Sequence, residues 1–241
     1  MVRVDGASVS EELDTLRIDW SDFNRASVES RDLARRIGAD KSALRRLVFG
    51  IERNPELLAK CERHHLLDYF VLHDALDRGF RVRLHMSTEN HLERPHDHRF
   101  SFSSYIVRGH YEHTLHLITP DPYADQTDRA AEFISIQNPD PTEHVHLGQI
   151  QTLSTRIESA GSSYSLHHSA VHTTVTAPGT VSVFVRGPAE KASSLIFDVD
   201  TESYWWRFGQ EQESPERRKQ KQMSVDDYLR LRERLVAMGT I

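Results

Sequence analysis

The spacing of apolar positions changes near residue 80. Before it, apolar residues recur at helical intervals: in "SRDLARRIGADKSALRRLV" Leu33, Ile37, Leu44 and Leu47 fall near one face, and Gly38-Ala39-Asp40 breaks the run into two short helices. The stretch "NPELLAKCERHHLLDYFVLHDAL" extends the helical reading, with Leu57, Leu58, Leu66, Leu67, Phe70 and Leu72 as its apolar face. From Phe80 the period drops to two. "FRVRLHM" alternates Arg81, Arg83 and His85 with Val82, Leu84 and Met86, as a strand does. Strand-like runs follow at "RFSFSSYIVRG", "YEHTLHLI", "AEFISIQ", "HVHLGQIQTLS", "SYSLHH", "VHTTVTA", "TVSVFVRG" and "SSLIFDVD". All are short and bounded by Gly, Pro, Asn or Asp, which predicts a mainly β sandwich or barrel and argues against βαβ units. "GQEQESPERRKQKQ" reads as a charged linker, and "SVDDYLRLRERLVAM" as a closing helix with Ser224 and Asp227 placed for a capping box. The expected layout is a helical segment over 1–78, a β-barrel over 79–207, and a linker with a C-terminal helix over 208–241.

Composition narrows the function classes. With 38% hydrophobic and 27% charged residues, the 241-residue chain has the makeup of a globular protein with a sizeable core. A net charge of −6 argues against a chain-wide nucleic-acid surface, and no apolar run approaches the roughly 20 residues of a membrane span. The first residues lack the apolar core of a secretory signal, and the single cysteine, Cys61, excludes an internal disulfide and multi-thiolate zinc sites. A cytoplasmic setting is expected. From Arg31 to Arg53 there are seven basic residues against three acidic, and Ala34, Gly38 and Leu44 stand where a helix-turn-helix has its small, turn and buried residues. The motif is short, however, and Arg and Lys also populate ordinary solvated helix faces; nucleic acid is not expected as a partner.

Histidine is where the composition departs from the ordinary. All but His64, His65 and His73 of the 15 histidines lie between His85 and His172. His96 and His98, separated by one residue after Pro95, can point from one strand face toward a single ion while Asp97 faces away. The surrounding spacing resembles the two motifs of the cupin superfamily, whose fold is a double-stranded β-helix or jelly roll. In the first motif Asn90 stands at the opening Gly, His96 and His98 at the histidines, Phe102 at the Glu, and Gly109 at the closing Gly. In the second, Gly161 opens, His167 and Ser169 replace Pro and Gly, His172 is the ligand, and Thr176 replaces Asn. The register is kept over residues 80 to 200. The resemblance implies a divalent metal held by His96, His98 and His172. With Phe102 in place of the carboxylate, the site resembles the three-histidine arrangement of cysteine-dioxygenase-type cupins, which implies Fe(II) and O2, with Zn, Mn and Ni as alternatives.

Other residues are assigned by alternation. Tyr111 and His113 share a strand face and are candidate catalytic groups. Arg83 and Arg186 are candidates to hold a substrate carboxylate, because a guanidinium grips it bidentately; their competing place is the solvated outer face. His167 and His168 are either supports of the metal site or exposed, His144 and His146 form a second His-x-His with no motif around it, and "TPDPYADQTDRAAEF" reads as a loop over one barrel end. Three function classes follow: a mononuclear Fe(II) oxygenase acting on a small polar, amino-acid-like substrate; a non-oxidative metal-cupin isomerase, lyase or hydrolase; and a ligand-sensing transcriptional regulator. The expected partners are a small-molecule substrate and O2, with a homodimer possible and no membrane.

Overall fold

The computed structural model describes residues 12–64, 67–123, 146–209 and 213–241. It begins with helices α1 (Phe23–Ala39), α2 (Lys41–Gly50) and α3 (Pro55–Leu58). The strands are β1 (Leu67–Ala75), β2 (Phe80–Ser87), β3 (His91–Leu92), β4 (Phe102–Arg108), β5 (His110–Thr119), β6 (His146–Leu147), β7 (Gln149–Ser159), β8 (Ser163–Leu166), β9 (Val171–Thr176), β10 (Val181–Arg186), β11 (Ser193–Asp198) and β12 (Ser203–Phe208). Helices α4 (Pro215–Lys221) and α5 (Val225–Ala237) close the chain.

The strands form a jelly roll. One sheet has the order β1-β2-β10-β4-β8, and the facing layer is built from β3-β9-β5-β7 and β11-β12-β6. Every pairing among the described residues is antiparallel, and neighbours such as β2 and β10 lie far apart in the chain, as the double-stranded β-helix requires. The segment around His96 joins the two parts of the facing layer by bridging both His172 and Ile196.

Alternation along β2 and β10 sorts the side chains. Val82, Leu84, Met86, Val181, Val183 and Val185 point outward into an apolar cluster with Leu33, Ile37, Leu44, Tyr228 and Leu235 of the helices. Arg83, His85, Ser182, Phe184 and Arg186 face the interior of the roll, where they line a cavity. The helices are thus the outer cover of the first sheet. Gly38 lies within α1, not in a turn, and a Cβ there would overlap the Tyr105 ring; the break after Ala39 comes from Asp40, whose Oδ1 caps α2 by accepting from Ser42 N (2.9 Å) and Ala43 N (3.0 Å). The capping box at Ser224 and Asp227 is formed.

Two sequence expectations are corrected. Residues 67–75 are a strand paired with β2 and not helix, so the barrel begins before residue 79. Their run of consecutive buried residues, covered by helices on one side and barrel on the other, hides the period-two signal. The charged linker contains α4, capped by Ser214 Oγ accepting from Arg217 N. The run "AEFISIQ", most of the proposed barrel-end loop, His65 and His144 lie outside the described residues. No helix among the described residues is long and apolar enough to cross a membrane.

Candidate metal centre

His96 and His172 are held opposite each other by their own backbones: His96 N donates to His172 O at 2.9 Å and His172 N to His96 O at 2.8 Å. Directly opposed residues of an antiparallel pair project to the same side, and their rings lie 4.6 Å apart. His98, two residues on, returns to that side, with ring centroids 4.8 Å from His96 and 5.0 Å from His172. Its Nε2 is 2.8 Å from His172 Nε2, and one nitrogen from each of the three rings lies within 4.8 Å of the others. His96, His98 and His172 therefore form a group able to hold a metal ion.

The surroundings suit that use. His96 Nδ1 donates to Arg94 O at 2.8 Å, and His172 Nδ1 lies 3.0 Å from His113 Nε2. Both contacts occupy the Nδ1 side of the ring and leave Nε2 facing the group, the arrangement that orients imidazole ligands. Burial, reinforced by the neighbouring imidazoles, holds His98 and His172 well below the ordinary imidazole range, so each is unprotonated as a ligand must be. Asp97 faces the other way, as alternation predicts. It is 1% exposed, accepts from Lys191 Nζ at 2.5 Å, Leu195 N at 2.8 Å and the Tyr123 hydroxyl, and so anchors the ligand-bearing segment to β11.

The histidines line a cavity of about 330 Å³ between the sheets. Phe102 is on its wall, with its ring 4.9 Å from His98 and stacked on Phe184 at 4.3 Å. Tyr111 also lines it; its hydroxyl bonds Ser182 Oγ at 2.9 Å, and burial pushes its pKa up to about 12. His113 does not reach the cavity and sits behind His172, where burial lowers it to about 4. Arg83 of β2 and Arg186 of β10 line the cavity from the sheet opposite His172, while Arg108 turns outward to Met238 O.

One further group at the site carries no sequence signal. Glu93 lines the cavity, with its Oε2 4.0 Å from His96 Nε2 and accepting a hydrogen bond from Thr174 Oγ1. A carboxylate therefore stands beside the three imidazoles, although Phe102 occupies the motif position of the usual carboxylate. Glu93 belongs to neither motif, and no periodicity marks it.

Other histidines stand outside the three-ring group. His167 and His168 precede β9; His168 Nδ1 pairs with Glu190 at 3.0 Å, and His168 O accepts from His98 N at 3.3 Å. His146 stacks on Tyr204, and His64 bonds Glu62 at 2.7 Å.

The fold and site together define a jelly roll with a three-histidine centre in its interior. No family model matches the chain, and no curated protein matches it. Among solved structures, it is similar to KdgF from Halomonas sp., at 12% identity over 54% of this chain and 88% of that one, with a TM-score of 0.33. It is also similar to an RmlC-like cupin from Shewanella frigidimarina NCIMB 400 (18% identity, 55% and 86% coverage, TM-score 0.31) and to the polyketide cyclase RemF from Streptomyces resistomycificus (16%, 60% and 84%, TM-score 0.36). At those TM-scores the likenesses carry no weight, and the fold is read from the chain's own strand pairing.

Proposed function

We propose that the protein is a mononuclear non-heme Fe(II) oxygenase of the cupin kind, acting on a small polar, amino-acid-like acid. The observation that carries this reading is the pairing, across one cavity, of three convergent imidazoles with two guanidiniums. Iron held by His96, His98 and His172 would supply a redox-active Lewis acid to which substrate and O2 both have access. The chain's own residues do the rest. Arg83 and Arg186 hold the substrate's acid group, while Phe102 and Phe184 keep water from its middle. Tyr111 stays protonated at neutral pH and serves as a hydrogen-bond donor, and Glu93 is placed to take a proton from a substrate lying against His96. His113 fixes the His172 ring. Glu93 also favours a second reading, non-oxidative chemistry with Zn, Mn or Ni, because a carboxylate beside a Lewis acid is a general base. Nucleic acid is not part of the proposal: α1 and α2 spend their apolar faces on the barrel.

Metal analysis of protein purified without added metal, followed by oxygen-uptake assays over a panel of small acids, tests the reading. The expected result is iron in the wild-type protein, its loss in His172→Ala with the fold retained, and substrate-dependent oxygen consumption. Full metal occupancy in His172→Ala refutes the site. Turnover by a zinc-loaded form in the absence of oxygen refutes the oxygenase and leaves the Lewis-acid reading.

A further inference from the structure

Arg83 and Arg186 are diagonal neighbours on the interior face of the first sheet: Arg83 is opposite Phe184, and Arg186 opposite Arg81. Arg186 is 7% exposed, and the Nε of each guanidinium is buried without a partner. Among the described residues neither has a carboxylate within ion-pair reach. Arg81, by contrast, is neutralised by Asp74 through contacts of 2.7 and 2.9 Å. Glu62, the acid that bears on Arg83, is itself bound to His64, and Asp97 is committed to Lys191. What holds the two guanidiniums is aromatic: Arg83 lies 4.3 Å from the Tyr69 ring centroid, and Arg186 4.2 Å from that of Phe100. Such contacts orient a cation without cancelling its charge. Burial, and next the Arg83 charge, push Arg186 down to about 8. A buried pair of like charges is unfavourable in the free protein and persists where a counter-charge arrives from outside.

We propose that this wall of the cavity is a receptor for a doubly negative oxyanion, either a phosphate or phosphonate group or a pair of carboxylates, and that the substrate carries it. The inference deepens the proposed function by naming the charge of the substrate, and it rests on that reading only for the word substrate. A single carboxylate would leave one guanidinium unmatched; a dianion matches both and offers enough oxygens for two bidentate contacts. His85, whose buried Nε2 also lacks a partner, lies two residues from Arg83 on the same wall and is placed to add a neutral hydrogen bond. At about 330 Å³ the cavity has room for such a head and a short chain toward the histidines, about a dozen non-hydrogen atoms in all.

Calorimetry and thermal melts of the full-length protein, metal-loaded and after chelator treatment, test this with inorganic phosphate, methylphosphonate, succinate and, as the monoanion, butyrate, at matched ionic strength. Phosphate and methylphosphonate separate the phosphorus oxyanions from succinate's paired carboxylates. At least one dianion is expected to bind about tenfold or more tightly than butyrate, and to retain measurable binding without metal, so that failure of the metal site leaves this result standing. Arg186→Met should weaken that dianion about a hundredfold while raising the melting temperature of the ligand-free protein, because an unmatched buried charge is gone. Arg186→Lys, which keeps the charge, should retain part of the affinity. Equal binding of butyrate and the dianions, or dianion affinity unchanged in Arg186→Met and in Arg83→Met, overturns the proposal.

Discussion

Replacing Gly38 by Ala tests how the helical segment is joined to the barrel. In a free helix interior the change is favourable by about 1 kcal/mol. Here the new methyl would overlap Tyr105 Cδ1, and would lie 2.9 Å from Tyr105 Cε1 and 3.2 Å from Val107 Cγ2, both on β4. Overpacking of this kind costs about 1–3 kcal/mol, so the net loss is about 1 kcal/mol, or a melting temperature lower by about 2–4 °C in a chain of this size. Gly50, the last residue of α2, supplies the comparison: nothing lies within 4 Å of its Cβ position and its φ is −63°, so Gly50→Ala should stabilise by about 0.5–1 kcal/mol. Urea unfolding of the single variants, and of Gly38→Ala in a Tyr105→Ala background, completes the measurement. With the ring gone, Gly38→Ala should cease to destabilise and show a coupling energy of about 2 kcal/mol. An unchanged cost in that background would mean that Gly38 is needed for backbone reasons, as in a helix-turn-helix, and would refute the packing account.

Two further outcomes are expected. Asp74, 13% exposed and bound to Arg81 and Lys60, has its pKa lowered from 3.8 to about 2, these partners outweighing the upward push of burial. It therefore contributes about 2 kcal/mol at neutral pH, fully present above about pH 4 and lost as pH falls toward 2. Asp74→Asn should be less stable by about that amount at pH 7, and the gap should close in acid; a pH-independent gap argues against the linkage. His113→Phe removes the hydrogen-bond partner of His172 Nδ1 and should weaken metal binding by about 10–100-fold with little loss of fold, read by competition with a chelating dye.

Much of the architecture was legible because half-buried strands carry period two. Most of β2, β4, β5, β7, β8, β9, β10 and β11 could be placed from alternation. β1 could not, since "DYFVL" is apolar on both faces, and neither could β12, because the consecutive aromatics of "SYWWRF" do not alternate although they are strand formers. The three metal-ligand candidates were readable from motif spacing, and Arg83, Arg186 and Tyr111 from the face they share with the cavity wall. Glu93 was not, because it sits in an irregular stretch where no period sorts side chains. His113 showed its face but not its depth: one further layer of packing separates a group that meets a ligand from one that steadies a neighbour.

The seam at His96 has a consequence for the order in which the protein is made. The segment carrying two of the three histidines is fastened to β9 and β11, as in Leu195 N donating to Asp97 Oδ1 at 2.8 Å across 98 residues of sequence. On a ribosome, His96 and His98 emerge long before either strand that holds them. A chain paused before β9 would carry those two histidines without either strand that fastens them. The three-histidine group is therefore among the last parts of the barrel to be assembled, and any ion it holds would be enclosed only once β9 and β11 are in place.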